Sequence, residues 1–165
     1  MEPDADWNSE ARPGETETER LDRNWADLLQ ELRVAQTGVQ LLTGLLLTVP
    51  FQSRFTDLVA HQRTLYLVTA CLSVLATGLL IAPVLLHRML FRLHARRELV
   101  VAAQRFAVAG LGSLALAVLG VLGLIFDVVL GGWAGYAAAG AGLLVLVVLW
   151  LLVPLGIRRG LSKGA

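Results

Sequence analysis

The chain has 165 residues, 14 basic and 13 acidic side chains, and a net charge of +1. With 56% hydrophobic residues and a mean hydropathy of +0.65, it is too apolar for a soluble domain, and the composition predicts an integral membrane protein. Its single cysteine, Cys71, excludes an internal disulfide, and the sequence contains no zinc, phosphate-binding or nucleophile motif. We therefore expect no cofactor, no metal site and no enzymatic activity.

The amino-terminal segment is acidic and then becomes amphipathic. Residues 1–18 are rich in acids, Pro, Gly, Ser and Thr and bury too little apolar surface to fold, so they are predicted to form a disordered tail. From Glu19 onwards apolar residues recur at spacings of three and four, at Leu21, Trp25, Leu28 and Leu32. This pattern predicts an amphipathic helix that leads directly into the first span, with Asp22 or Asn24 as its N-cap.

Four segments are long and apolar enough to cross ~30 Å of hydrocarbon. They cover about residues 34–51, 64–86, 106–130 and 133–157, within a transmembrane domain of residues 19–158. Pro50 ends the first span, and Gly131 and Gly132 form a tight turn between the last two. The predicted fold is all-α, a polytopic membrane protein with four transmembrane helices and a short basic tail at residues 159–165.

The arginines predict the orientation of these spans. The connector between spans two and three contains five of them, Arg88, Arg92, Arg96, Arg97 and Arg105, whereas the loop after span one contains only Arg54 and Arg63. Positive residues in short loops stay on the cytoplasmic side. We therefore expect both termini in the cytoplasm and the chain in the cytoplasmic (inner) membrane. Arg88, Arg92, Arg96 and Arg97 are predicted to contact anionic lipid headgroups rather than nucleic acid.

A polar stripe interrupts the first span. One side of the helix presents polar and small residues over about five turns, at Arg33, Gln36, Thr37, Gln40, Thr43, Gly44 and Thr48. Because amides that face lipid have no hydrogen-bonding partner, the stripe is expected to face the interior of the bundle. It serves either to join helices by hydrogen bonds or to line a water-filled path for an ion or a small polar solute.

No predicted span has an acid at its centre, and Asp127, close to the outer end of span three, is the only acid within a long span, which makes it a candidate ion site. Its other interpretation is structural, because it precedes the Gly131 turn and could simply end the helix. His61, near the same predicted membrane face, has no evident partner in the sequence.

Small residues recur every four positions in the last two spans, at Ala109, Ser113 and Ala117 and again at Ala134, Ala138 and Gly142. This spacing favours close helix packing, and the alternative is a glycine-lined pore.

The stretches "ERLDRNWADLLQELRVAQTGVQLLTGLLLTVPFQSRF" (residues 19–55) and "HQRTLYLVTACLSVLATGLLIAPVLLHRMLFR" (residues 61–92) resemble an uncharacterised family of small four-span actinobacterial membrane proteins. Some members of that family carry the label "sodium:proton antiporter". The resemblance implies a four-span fold but no established mechanism. Known antiporters of that kind have many more spans and buried acids, and small multidrug exporters have a glutamate in their first span, where this chain has Gln36 and Gln40.

Two functions follow as hypotheses. The first is transport of an ion (proton or sodium) or a small solute by an oligomer of the chain. The second is a non-transporting scaffold or accessory subunit that binds a protein partner through the amphipathic helix. The expected partners are membrane lipids, further copies of the chain and that protein partner, with no nucleic acid. A continuous polar lumen would favour transport, and a tightly packed core would favour the scaffold.

Overall fold

The computed structural model describes Gly14 and residues 16–90 and 96–161, and within these residues the chain is helical apart from short turns. The helices are α1 (Glu17–Thr48), α2 (Ala60–Leu90), α3 (Arg96–Leu130), α4 (Ala134–Val147) and α5 (Val153–Leu161). Two 3₁₀ turns, Val49–Phe51 and Ser53–Asp57, join α1 to α2, and a π-helical turn, Val148–Leu152, joins α4 to α5. Most of the predicted disordered tail (residues 1–18) and of the basic tail (residues 159–165) lies outside the described residues.

Helix α1 begins earlier than expected and has a different cap. The Thr16 hydroxyl accepts from the backbone N–H of Glu19 (3.3 Å), and the Glu19 carboxylate accepts from the backbone N–H of Thr16 (2.9 Å). This reciprocal capping box satisfies two helix-end donors, so the prediction of Asp22 or Asn24 as the cap was wrong. The hydrogen bonds from the Thr16 backbone and hydroxyl hold the pKa of Glu19 below its ordinary value.

Four helical stretches are long and apolar enough to cross a membrane: Arg23–Phe51, Ala60–Leu86, Leu99–Leu130 and Ala134–Ile157. The predicted all-α class with four such helices is confirmed for the described part of the chain. Helix α1 runs without a break from its amphipathic start into the first of these stretches, and it ends at Thr48, two residues before Pro50. These lengths and compositions are consistent with a multi-pass membrane protein.

The helices pack as an open arrangement rather than a closed bundle. Helices α2 and α3 form the central pair, and α1 packs against both. Among the described elements, α4 packs on α3 and makes no extended contact with α1 or α2. A core of apolar side chains lies where α1, α2 and α3 meet, at Leu32, Val39, Ala76, Leu80 and Ala107.

Small residues bring α3 close to both of its neighbours. A Cβ added at Gly110 would lie 2.8 Å from the Leu80 side chain of α2, and a Cβ added at Gly135 of α4 would lie 2.7 Å from the Gly123 carbonyl oxygen of α3. Close helix packing is therefore the use of the small residues, as the four-residue spacing predicted. Of the predicted positions, Ala117 is buried, and a Cβ added at Gly142 would lie 2.8 Å from the Leu119 side chain of α3. Ala109, by contrast, is exposed, and the neighbouring Gly110 is buried in its place.

The turn between α3 and α4 is the predicted glycine pair. Gly131 and Gly132 have φ angles of +74° and +59°, in the left-handed region that favours glycine. The backbone N–H of Gly131 donates to the carbonyl oxygen of Asp127 (2.9 Å) and closes α3.

The fourth membrane-length stretch contains a π-helical turn that the sequence analysis did not anticipate. The backbone N–H of Val153 donates to the Val148 carbonyl oxygen, five residues back. Pro154 follows directly, and a proline in a helix lacks an N–H and crowds the preceding turn. A π turn is a common way to widen a helix at such a point.

Candidate functional site

The inward part of the polar stripe forms a ladder of hydrogen bonds between α1 and α2. Gln36 donates from Nε2 to the Leu80 carbonyl oxygen (2.7 Å), and the Thr43 hydroxyl lies 3.3 Å from the Thr77 hydroxyl. The Leu80 carbonyl lies in the turn before Pro83, next to the Leu79 carbonyl, which lacks its donor within the helix because Pro83 has no N–H. Gln36 and Thr43 are therefore half-buried interhelical contacts.

Tyr66 completes this ladder at its far end, and the sequence analysis missed it. Its buried ring stacks edge-on against Phe55 (centroids 5.3 Å apart), and its hydroxyl donates to the Leu46 carbonyl oxygen near the end of α1 (2.8 Å). A buried tyrosine needs a partner for its hydroxyl, and that requirement was the available signal.

The rest of the stripe faces away from the other helices. Arg33, Thr37, Gln40, Gly44 and Thr48 are all exposed in the single chain. Within the single chain, Arg33 and Gln40 therefore lie outside the interior that the stripe was expected to face. Positions four apart on an α-helix differ by about 40° in direction. Because Gln36 already lies at the edge of the buried face, this rotation carries Gln40 beyond it.

The exposed polar side chains differ in whether their hydrogen bonds are satisfied. The hydroxyls of Thr37 and Thr48 donate to carbonyl oxygens of their own helix, those of Arg33 (3.0 Å) and Leu45 (2.7 Å). The amide of Gln40 has no hydrogen-bonding partner among the residues that the structure describes.

The buried polar side chains between the helices are hydrogen-bonded within the chain itself. The buried hydroxyls of Thr69 and Ser73 donate to the carbonyl oxygens of Leu65 (2.7 Å) and Ala70 (2.9 Å). In the described part of the chain, no buried side-chain nitrogen or oxygen is without a partner. The polar groups of the interior are thus already used by the protein itself.

A second polar site lies where α2 begins and α3 ends, and we call it the His–Asp cluster (His61, Gln62 and Asp127). The His61 Nε2 atom lies 2.7 Å from Oδ2 of Asp127. Gln62 also reaches the Asp127 carboxylate, while its Oε1 accepts from the Val59 backbone N–H (3.2 Å). The Asp127 side chain is 10% exposed and that of His61 63%.

The two residues of this pair are 66 positions apart, which is why the sequence analysis found no partner for His61. Asp127 makes contacts through both its backbone and its side chain. Its backbone carbonyl closes the helix end, and its carboxylate is held by side chains of α2. Ion binding by Asp127 stays a prediction.

The basic connector lies at the opposite end of α2 and α3. Arg88 is exposed near the end of α2, and Arg96 and Arg97 begin α3. Arg92 lies outside the described residues. Their predicted contact with lipid headgroups therefore stays a prediction.

No group of three or more His, Cys, Asp or Glu side chains that could hold a metal ion occurs in the residues searched, which are the described ones. Cys71 is exposed on α2 and pairs with no other cysteine. The expectation of no cofactor and no enzymatic activity stays a prediction.

Comparison with known proteins identifies the family. The chain belongs to a family of unknown function, DUF6328, which matches residues 14–154, from just before the α1 cap to Pro154. No curated protein and no solved structure matches the chain. This result fits the expected uncharacterised family, while the actinobacterial membership and the antiporter label stay predictions.

Proposed function

We propose that this member of DUF6328 is a multi-pass protein of the cytoplasmic membrane that works as a non-transporting module, a scaffold or accessory subunit for other membrane chains. The observation that carries the proposal is that the buried polar side chains of the described part already have partners within the chain. Gln36, Thr43 and Tyr66 form hydrogen bonds between α1 and α2. No buried side-chain nitrogen or oxygen in the described part is without a partner and therefore available to bind a solute. Packing of this kind suits a rigid platform better than a conduit.

The orientation that we propose follows the arginines. The basic connector is on the cytoplasmic side together with both termini, and the His–Asp cluster is on the outer side. Arg88, Arg92, Arg96 and Arg97 then lie near anionic headgroups, each worth about 1 kcal/mol of attraction near such a surface. The amphipathic start of α1 projects into the cytoplasm, where it can bind a protein partner.

Transport of protons or sodium by an oligomer is the second candidate. Two observations favour it: the exposed polar face of α1, which an oligomer could turn towards a shared path, and the surface-accessible His–Asp cluster, which could exchange protons. Neither provides a path across a single copy, so we place this function second.

An ion-flux assay separates the two. Purified protein would be reconstituted into liposomes that contain a pH-sensitive dye, and a proton or sodium gradient would be imposed. We expect the gradient to decay as in protein-free liposomes and to collapse only on addition of an ionophore. A several-fold faster decay that is lost in Asp127→Asn but kept in Asp57→Asn, a matched change of an exposed acid in the Ser53–Asp57 turn, would establish transport and overturn the module.

A further inference from the structure

The exposed polar face of α1 contains one side chain that the described chain leaves unsatisfied at membrane depth. In the proposed orientation, Gln40 lies about 10 Å along the helix axis from Arg33 and about 16 Å from Phe51, at 1.5 Å per residue. A primary amide has two N–H donors and an acceptor oxygen, and acyl chains offer none of the complementary groups. Gln40 is exposed and has no partner among the described residues, unlike Gln36 one turn earlier.

The chain's own helices do not cover this face. Helix α4 packs on α3, away from α1, in the arrangement described above. Gly44, one turn beyond Gln40, has no heavy atom within 4 Å of the position that a Cβ would take, so the backbone there is open to a close approach. The face therefore combines an unmet amide with the small residue that lets another helix come near.

We propose that a second copy of the chain docks on this face, with the two Gln40 amides hydrogen-bonded to each other and the backbones closest at Gly44. This inference rests on the proposed membrane placement, and it identifies a second copy of the chain as one partner of the proposed scaffold. Both copies must share one orientation in the membrane, so their α1 helices run parallel and a two-fold axis brings each residue of the face opposite itself.

A second copy suits the face because an amide is its own complement. Nε2 of one Gln40 donates to Oε1 of the other at the same depth, and no third chemical group is needed. The hydroxyls of the flanking Thr37 and Thr48 already donate to carbonyl oxygens of their own helix, so they need no donor or acceptor from the second copy. Arg33 would bring two like charges near the axis, but at the membrane surface, where water and anionic headgroups screen them.

The direct test is cross-linking in membranes. In a Cys71→Ala background, Thr37→Cys and Gly44→Cys should form disulfide-linked dimers on mild oxidation, because both lie on the proposed interface. Leu45→Cys is the matched control, adjacent to Gly44 and 68% exposed but about 100° away around the helix. Equal cross-linking at positions 44 and 45, or none at 37 and 44, would overturn the interface.

The second measurement is the dimer dissociation constant in lipid bicelles, from energy transfer between labelled copies. We expect Gln40→Leu to raise it roughly 3- to 30-fold, the range that corresponds to interhelical polar contacts in membranes. Gln52→Leu, the same change at an exposed position in the turn that follows α1, should leave it unchanged. A wild type that stays monomeric in lipid, whether its face meets only acyl chains or awaits a different protein, would refute the second copy as occupant.

These results are independent of the flux assay. A dimer that conducts ions would overturn the non-transporting module and leave this docking surface intact. A monomer without flux would remove the docking surface and leave the module intact.

Discussion

Gly135 is the position at which α4 depends most directly on α3. In a Gly135→Ala variant the new Cβ would lie 2.7 Å from the Gly123 carbonyl oxygen and 2.8 Å from the Asp127 Cβ. The first of these atoms belongs to the backbone of α3 and the second is fixed directly to it, so neither can rotate away. Reaching an ordinary contact distance requires α4 to move outwards by about 0.7 Å.

The cost of this change can be estimated. Overpacking by one carbon typically destabilises a well-packed contact by about 1–3 kcal/mol. Among the described helices α4 packs against α3 alone, so no contact with another helix would offset the loss of α3–α4 packing. Gly140→Ala provides the control on the same helix. A Cβ there meets nothing within 4 Å, and alanine favours the helix by up to about 1 kcal/mol over glycine.

The assay is a titration of the purified protein in bicelles with SDS, in which tryptophan fluorescence reports unfolding. Trp133 lies in the α3–α4 turn and Trp150 in the last membrane-length stretch, so both report on the packing of α4. We expect Gly135→Ala to unfold at a lower SDS fraction than the wild type and Gly140→Ala at the same or a higher fraction. If the two variants unfold together, the close approach of α3 and α4 at this point is refuted.

Three further predictions follow from the described contacts. Gln36→Leu should destabilise the fold by ~0.6–2 kcal/mol through the loss of the bond to the α2 carbonyl, measured in the same titration, and no change would contradict that bond. Hydrogen bonds to the Glu19 carboxylate lower its pKa in the folded chain. The stabilisation of the first turn of α1 is therefore complete above the ordinary carboxyl pKa and is lost as the pH falls through the lowered value. Amide exchange should show this loss in the wild type, and Glu19→Gln should abolish the pH dependence. In a Cys71→Ala background, an impermeant thiol reagent added outside cells should label Ser53→Cys and spare Asn24→Cys, and the reverse pattern would contradict the orientation.

Periodicity and composition were enough to predict the helices but only part of the site. The lengths of the apolar runs, Pro50 and the glycine pair at positions 131 and 132 are all local signals. Pro50 and the glycine pair mark two of the places where one helix ends and the chain turns towards the next. The cap was local as well. The Thr16–Glu19 spacing is a capping-box pattern, but the predicted boundary between tail and helix falls between these two residues, with Thr16 in the tail and Glu19 in the helix.

The rest depends on contacts that one chain segment cannot reveal. Gln36 and Gln40 look equivalent on a helix drawn alone, and only the position of α2 decides which of them lies at the edge of the buried face. The pairing of His61 with Asp127 joins the first turn of one helix to the last turn of the next. Packing geometry, rather than residue type, distinguishes these cases.

The continuity of α1 has a mechanical consequence. A helix of 32 residues is ~48 Å long, whereas the hydrocarbon layer is ~30 Å thick, so ~18 Å of the same rigid rod stands clear of it. A helix that tilts to match a thinner bilayer carries this projecting arm with it, and a tilt of ~20° displaces the tip sideways by ~6 Å. In the orientation proposed above, this end of α1 would act as a lever that converts a change in membrane thickness into a sideways displacement of any protein bound there.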